Sequence, residues 1–197
     1  MKKFDTFRTV FLTFLLLIGL TTIGWAQQEQ VVYQTGFEIE DGFTVNAPSG
    51  TNVYNNSIIY FSGNNDKQWG TYYGTPSATG AILGSQSMQM RWYAGSTDSI
   101  GYTYTDFGIN NVTKVDFYAS STNGLNVTAF YSIDGGNTYI GDSTYNLTTT
   151  STLYTYNINS TGNYNNVKIK FKISLPTTLP SANSKLYIDS VTIYGMV

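Results

Sequence analysis

Neither histidine nor cysteine occurs in the 197 residues, so the chemistry open to this chain rests on carboxylates, amides, hydroxyls and aromatic rings. Without imidazole or thiolate there is no Ser-His-Asp relay, no thiolate nucleophile and no ordinary zinc site. Aromatic rings are the abundant resource: 16% of residues are Phe, Trp or Tyr, against 11% charged. They gather at Trp69-Gly70-Thr71-Tyr72-Tyr73-Gly74 and at Arg91-Trp92-Tyr93. A sugar lays its apolar ring face on an exposed aromatic while polar side chains hold its hydroxyls, and rings with polar tips do this at low entropic cost. Trp69, Tyr72, Tyr73 and Tyr93 are therefore candidate platform residues, and Arg91 is suited to a bidentate grip on a uronate or sulfate. The competing reading puts such rings in a core, and it is preferred for Trp92, which alternates with Met88 and Met90. Tyr102 and Tyr104 share one face of the next strand.

The carboxylates do not suggest catalysis. Sugar hydrolysis needs two of them facing each other at roughly 5–9.5 Å. Beyond residue 26, Glu occurs only at 29, 38 and 40, all near the N-terminus. No Glu-x-Asp-x-Glu pattern follows, and Gln89-Met90-Arg91 does not match the signatures of polysaccharide lyases. The chain is read as non-enzymatic.

These side chains must be positioned by strands. Val167-Lys168-Ile169-Lys170-Phe171-Lys172-Ile173 alternates four apolar residues with three lysines, as a strand with one face in a core and one in water does. The lysine row reads as a solvated face that discourages edge aggregation. Further strands are expected near Val31–Thr35, Ser57–Phe61, Gln68–Tyr73, Ser87–Tyr93, Ile100–Thr105, Val112–Ala119, Leu125–Ser132, Leu153–Ile158 and Lys185–Tyr194. Turn chemistry separates them, as at Asp41-Gly42, Asn123-Gly124 and Asp134-Gly135-Gly136-Asn137. Many short strands in one undivided stretch predict an all-β fold: a two-sheet antiparallel β-sandwich, most simply a jelly roll. Residues 27–197 form a single domain on this reading.

Residues 1–26 read as a signal peptide. Lys2, Lys3 and Arg8 precede a largely apolar run from Val10 to Leu20, and Gly24-Trp25-Ala26 places small residues at −3 and −1. A membrane anchor needs about 20 apolar residues, more than this run holds. The protein is expected to be secreted or held at the cell surface, with no membrane insertion after cleavage. Without residues 1–26 the chain carries seven basic and eleven acidic residues, a net charge of −4. Such an acidic surface is a poor partner for nucleic acid.

The order of motifs resembles a known group. It runs through Thr35-Gly36-Phe37-Glu38, Asp41-Gly42-Phe43, Gly84-Ser85-Gln86-Ser87-Met88, Val115-Asp116-Phe117-Tyr118 and Leu186-Tyr187-Ile188-Asp189-Ser190-Val191. The chain is similar to jelly-roll modules of secreted Bacteroidetes proteins, namely cleaved-adhesin and MAM-like domains, and to calcium-dependent carbohydrate-binding modules with a galactose-binding-like fold. That resemblance implies a non-catalytic module that holds a polysaccharide or another surface polymer. It also implies a structural Ca2+ tying the first strand to the last through Glu38 and Asp189, with Glu40 or Asp41 and backbone carbonyls completing the shell. The alternative is that Asp41-Gly42 is only a turn and Asp189 only marks a bulge. Ser132 to Tyr139 matches the Asp-box of sialidases, with Tyr for its Trp, and reads as a structural turn. Two functions stay open: a secreted carbohydrate-binding module, or an adhesive surface protein working through protein–protein contacts.

Overall fold

The computed structural model describes residues 27–43, 57–63, 67–98, 100–158 and 164–197. The expected signal peptide at 1–26 lies outside them. Among the described residues there are twelve strands: β1 (Glu29–Thr35), β2 (Ile58–Ser62), β3 (Gln68–Tyr72), β4 (Gly74–Ser77), β5 (Ser87–Trp92) and β6 (Tyr102–Thr105), then β7 (Val112–Ser121), β8 (Asn126–Ser132), β9 (Ile140–Asn146), β10 (Thr152–Asn157), β11 (Lys168–Ser174) and β12 (Ser184–Met196). They form two antiparallel sheets packed as a jelly-roll sandwich. The first runs β10-β7-β12-β5-β4 with β1 also on β12, and the second runs β2-β3-β6-β11-β8-β9.

The inner faces follow the period-2 pattern. Ile169, Phe171 and Ile173 of β11 meet Val115, Phe117 and Ala119 of β7, together with Met88, Met90, Trp92, Leu186 and Ile188, in one hydrophobic cluster. Burying each large side chain contributes about 1.5–3 kcal/mol. In β12 the inward residues are 186, 188, 191 and 193. The step of three between Ile188 and Val191 breaks the alternation and demands an extra residue. A bulge supplies it, with Ser190 at φ 46° and the register shifting between Asp189 and Thr192. At the same place the edge partner of β12 changes from β5, which pairs with 184–188, to β1, which pairs with 191–196.

Two strands were not foreseen in the sequence, and both lie at sheet edges. β4 borders the first sheet and contains Pro76, while β9 borders the second and carries few apolar residues. Edge strands tolerate proline and need no inward-facing apolar row. The expected strand 68–73 also ends a residue early. Tyr73 takes φ 53°, and the chain leaves the second sheet for the first at Gly74. A Cβ at Gly74 would lie 2.7 Å from the Gln89 carbonyl oxygen, so only glycine fits this crossing.

Candidate functional site

The outer face of the second sheet carries the even-numbered residues of β2, β3, β6, β8 and β11. Antiparallel register aligns them into rows across the sheet. One row reads Tyr60, Gly70, Tyr104, Lys170 and Phe130; its neighbour reads Ile58, Tyr72, Tyr102, Lys172 and Thr128. Each row thus begins in apolar or aromatic residues and reaches a lysine on β11. From β2 to β11 a row crosses three inter-strand gaps, roughly 14 Å.

Within this face the rings touch. Tyr72 and Tyr102 stack with centroids 5.2 Å apart and planes 17° from parallel, and Tyr104 lies 6.3 Å from Tyr102. The Tyr60 and Tyr104 hydroxyls are hydrogen-bonded at 3.1 Å. Gly70 makes this arrangement possible, because a Cβ there would fall 2.7 Å from the Tyr104 hydroxyl and inside the ring's van der Waals envelope. Lys170 Nζ stands 4.2 Å from the centre of the Tyr102 ring and 4.8 Å from that of Tyr139, a cation–π sandwich. Lys168 pairs with Asp106 at 2.9 Å. A groove of about 270 Å³ runs between these residues, and among the described residues Asp106 is the one carboxylate in its lining.

Tyr139 reaches the groove from the β8–β9 hairpin. There the Asp134 carboxylate accepts the Thr138 N–H at 2.9 and 3.0 Å and the Ser132 hydroxyl at 2.7 Å, while Ser132 Oγ accepts the Gly136 N–H at 2.7 Å. The Thr138 hydroxyl also donates to this carboxylate at 2.5 Å, and that bond first, then those from the Thr138 N–H and the Ser132 hydroxyl, hold the Asp134 pKa well below the ordinary carboxylate range. The hairpin is the expected structural turn, with an added result: it aims a ring at Lys170.

Burial raises the phenol pKa of Tyr102 and of Tyr104, with the Tyr72 and Tyr60 phenols adding to it respectively, and pushes that of Tyr139 up to about 12. These phenols are therefore neutral across the physiological range. Burial, and secondarily the charge of Lys172, lowers the pKa of Lys170. The lysine row is thus more than a solvated face, since Lys170 is half-buried among rings and Lys168 is spent on an ion pair.

The sequence-derived platform is partly redrawn. Trp69 faces the opposite way, fully buried, with its Nε1–H donating to the Tyr33 hydroxyl at 3.0 Å. It offers no ring face to a ligand, because strand alternation sends 69 and 71 inward when 70 and 72 point out. Trp92 is likewise fully buried. Tyr72 does belong to the outer face. Tyr73 lies 4.8 Å from Tyr72 and 6.0 Å from Tyr93, over which the Arg91 guanidinium sits at 5.6 Å. Tyr72, Tyr73, Tyr93 and Arg91 therefore form a continuous aromatic trail from the sheet face around the β3–β4 corner. Tyr60, Tyr139 and Lys170 were missed; the alternation of 168, 170 and 172 was the available signal for Lys170 alone, and nothing in the sequence pairs β11 with β6.

A second polar cluster lies at the β12 bulge. Glu38 accepts the Ser85 N–H at 2.9 and 3.1 Å, the Ser85 hydroxyl, and the Gln86 N–H at 3.4 Å. Asp189, buried, accepts Leu83 N–H at 2.8 Å, Ser87 Oγ at 3.1 Å and Ser190 N–H at 2.6 Å. Burial nonetheless raises its pKa above the usual aspartate value. Asp41 Oδ2 accepts the Gly36 N–H at 2.6 Å, closing the 35–41 turn. The two residues named for Ca2+, Glu38 and Asp189, do reach this same corner: Glu38 Cγ and Asp189 Oδ1 lie 3.2 and 3.7 Å from a Cβ built on Gly36. Among the described residues no three carboxylates converge as a metal cluster. Oxygen donors suited to calcium are nonetheless present, including Gln86 Oε1, which is buried with no hydrogen-bond partner.

No protein-family model matches the chain. No curated protein matches it. Among solved structures, a variant of a family 29 carbohydrate-binding module complexed with cellulohexaose covers 87% of this chain and 93% of its own, at 10% identity and a TM-score of 0.46. A family 61 module in complex with β-1,4-galactotriose covers 64% and 88%, at 11% identity and a TM-score of 0.44. The N-terminal cellulose-binding domain of Cellulomonas fimi β-1,4-glucanase C covers 66% and 89%, at 17% identity and a TM-score of 0.45. Likeness at this level concerns the fold alone.

Proposed function

We propose that the protein is a secreted, non-catalytic module that binds a polysaccharide along the outer face of its second sheet. The carrying observation is the pair of cross-strand rows, in which Tyr60, Tyr72, Tyr102 and Tyr104 form a half-exposed aromatic surface backed by Lys170. Rings of this kind stack on sugar faces, and the phenol and ammonium tips are hydrogen-bond donors to hydroxyls. Hydrolysis is not supported, because among the described residues Asp106 is the single carboxylate lining the groove and Lys168 engages it. Secretion is supported by the basic, apolar and small-residue layout of residues 1–26.

Affinity electrophoresis through gels containing soluble polysaccharides tests the reading. At least one polymer retards the protein, and the Tyr72→Ala/Tyr102→Ala double variant loses about tenfold or more in affinity while keeping its melting temperature within a few degrees. A folded protein retarded by no polymer would favour the adhesive, protein-contacting alternative.

The reading also carries a structural calcium ion, held by Glu38 and Asp189 with the Gln86 side-chain carbonyl. Its support is that Glu38 and Asp189 both border the Gly36 corner and that Gln86, whose backbone N–H Glu38 accepts, carries a buried side-chain oxygen with no hydrogen-bond partner. Calcium supplied at about a hundred times its dissociation constant raises the melting temperature by roughly 5–10 °C over EDTA. The Asp189→Asn variant loses that increment. A midpoint indifferent to calcium leaves Glu38 and Asp189 as acceptors for the 83–87 backbone and nothing more.

A further inference from the structure

We infer that the glycan taken by this face is anionic, bearing carboxylate or sulfate groups on its sugar rings. The inference rests on the binding reading above and concerns the chemistry of its ligand. Three of the seven basic residues beyond position 26, Lys168, Lys170 and Lys172, stand side by side on β11 in a protein of net negative charge. Lys168 is neutralised by Asp106. The other ion pair among the described residues is Lys114–Glu29, away from this face, and none of the described carboxylates forms an ion pair with Lys170 or Lys172.

Two like charges two residues apart on one strand face repel each other, and half-burial of Lys170 adds a desolvation cost. Tyrosine quadrupoles hold the Lys170 ammonium in place but leave its positive charge uncompensated. An anion seated in the groove relieves both costs at once. A neutral glycan would relieve neither, and a face selected for one is better served by amides and hydroxyls. The position fits as well: each lysine is the next cross-strand neighbour of a tyrosine, Lys170 of Tyr104 and Lys172 of Tyr102. A pyranose lying on either ring places a ring-borne acid group toward β11.

Isothermal titration of the full protein with three oligosaccharides of matched length decides the matter: an oligogalacturonate, a sulfated carrageenan oligosaccharide and cellohexaose. One or both anionic probes bind at least tenfold tighter than cellohexaose, and the preference shrinks as salt is raised from about 20 to 200 mM, where screening is strong. The relative affinity of the two anionic probes tells carboxylate from sulfate. Lys172→Met, at a residue outside the groove lining, abolishes most of that preference without moving cellohexaose affinity, Lys170→Met lowers affinity for the anionic probes several-fold more than for cellohexaose, and unchanged melting temperatures show the variants folded. Equal or tighter binding of cellohexaose overturns the inference and leaves the proposed function standing. Absence of binding by the folded protein to any of the three, and to the wider polymer panel, overturns both.

Discussion

Replacing Trp69 by alanine costs about 3–5 kcal/mol of stability, a fall in melting temperature of roughly 6–20 °C for a domain of this size. The indole is the structural keystone where β3 meets the opposite sheet. Its ring lies parallel to Phe171 at 6.5 Å, with planes 2° apart, and Phe37 meets it edge-on at 5.0 Å. Truncation opens a cavity that close-packed neighbours fill only in part, and it strips the Tyr33 hydroxyl of the N–H it accepts at 3.0 Å. Trp69→Phe retains most of the volume and loses less. Circular dichroism melts measure the effect. A Trp69→Ala protein with an unshifted midpoint and abolished glycan affinity would return the residue to the binding surface. Both tryptophans beyond residue 26 are buried, so indole fluorescence reports on folding here rather than on contact with a ligand.

Substituting Gly70 by alanine separates binding from stability in the opposite sense. The added methyl group occupies space held by the tip of the Tyr104 ring, which must swing away and break its hydroxyl bond to Tyr60. A side-chain tip can move where backbone cannot, so the sheet persists; the stability change is within about 1 kcal/mol, since alanine is if anything the better strand residue. Glycan affinity falls about tenfold or more, because the ring leaves the row that Lys170 and Phe130 continue. Gel retardation and a melting curve on the same sample read both quantities. Unaltered affinity with Tyr104 displaced would remove that ring from the site.

Much of this was legible in the residues. Alternation at 167–173 places Ile169, Phe171 and Ile173 in the core and the lysines outside, and the structure agrees. The pairing of Met88, Met90 and Trp92 on an inward face also holds. Trp69 was misassigned because Trp69-Gly70-Thr71-Tyr72 offers an aromatic on each face, so composition cannot choose which one points inward. The β12 bulge is written in the three-residue step from Ile188 to Val191, yet its consequence is not: there β12 exchanges β5 for β1, and Asp189 is drawn in to accept the Leu83 N–H. Edge strands β4 and β9 were invisible for the reason that makes them edges, the lack of any need for a continuous apolar row.

By itself, then, the sequence determined the all-β class, the inward faces of the strands with clean alternation, the absence of imidazole and thiol chemistry, and a stock of tyrosines with few charges. Period-2 geometry and side-chain chemistry act within a single strand, and these are their results. Tertiary structure alone decided which rings share a surface. Residues 60, 72, 104, 139 and 170 are scattered over more than a hundred positions, and only the hydrogen-bonded order β2-β3-β6-β11-β8 brings them into register. A backbone ladder sets that order by pairing whole strands, so the groove belongs to the sheet and to no stretch of chain within it.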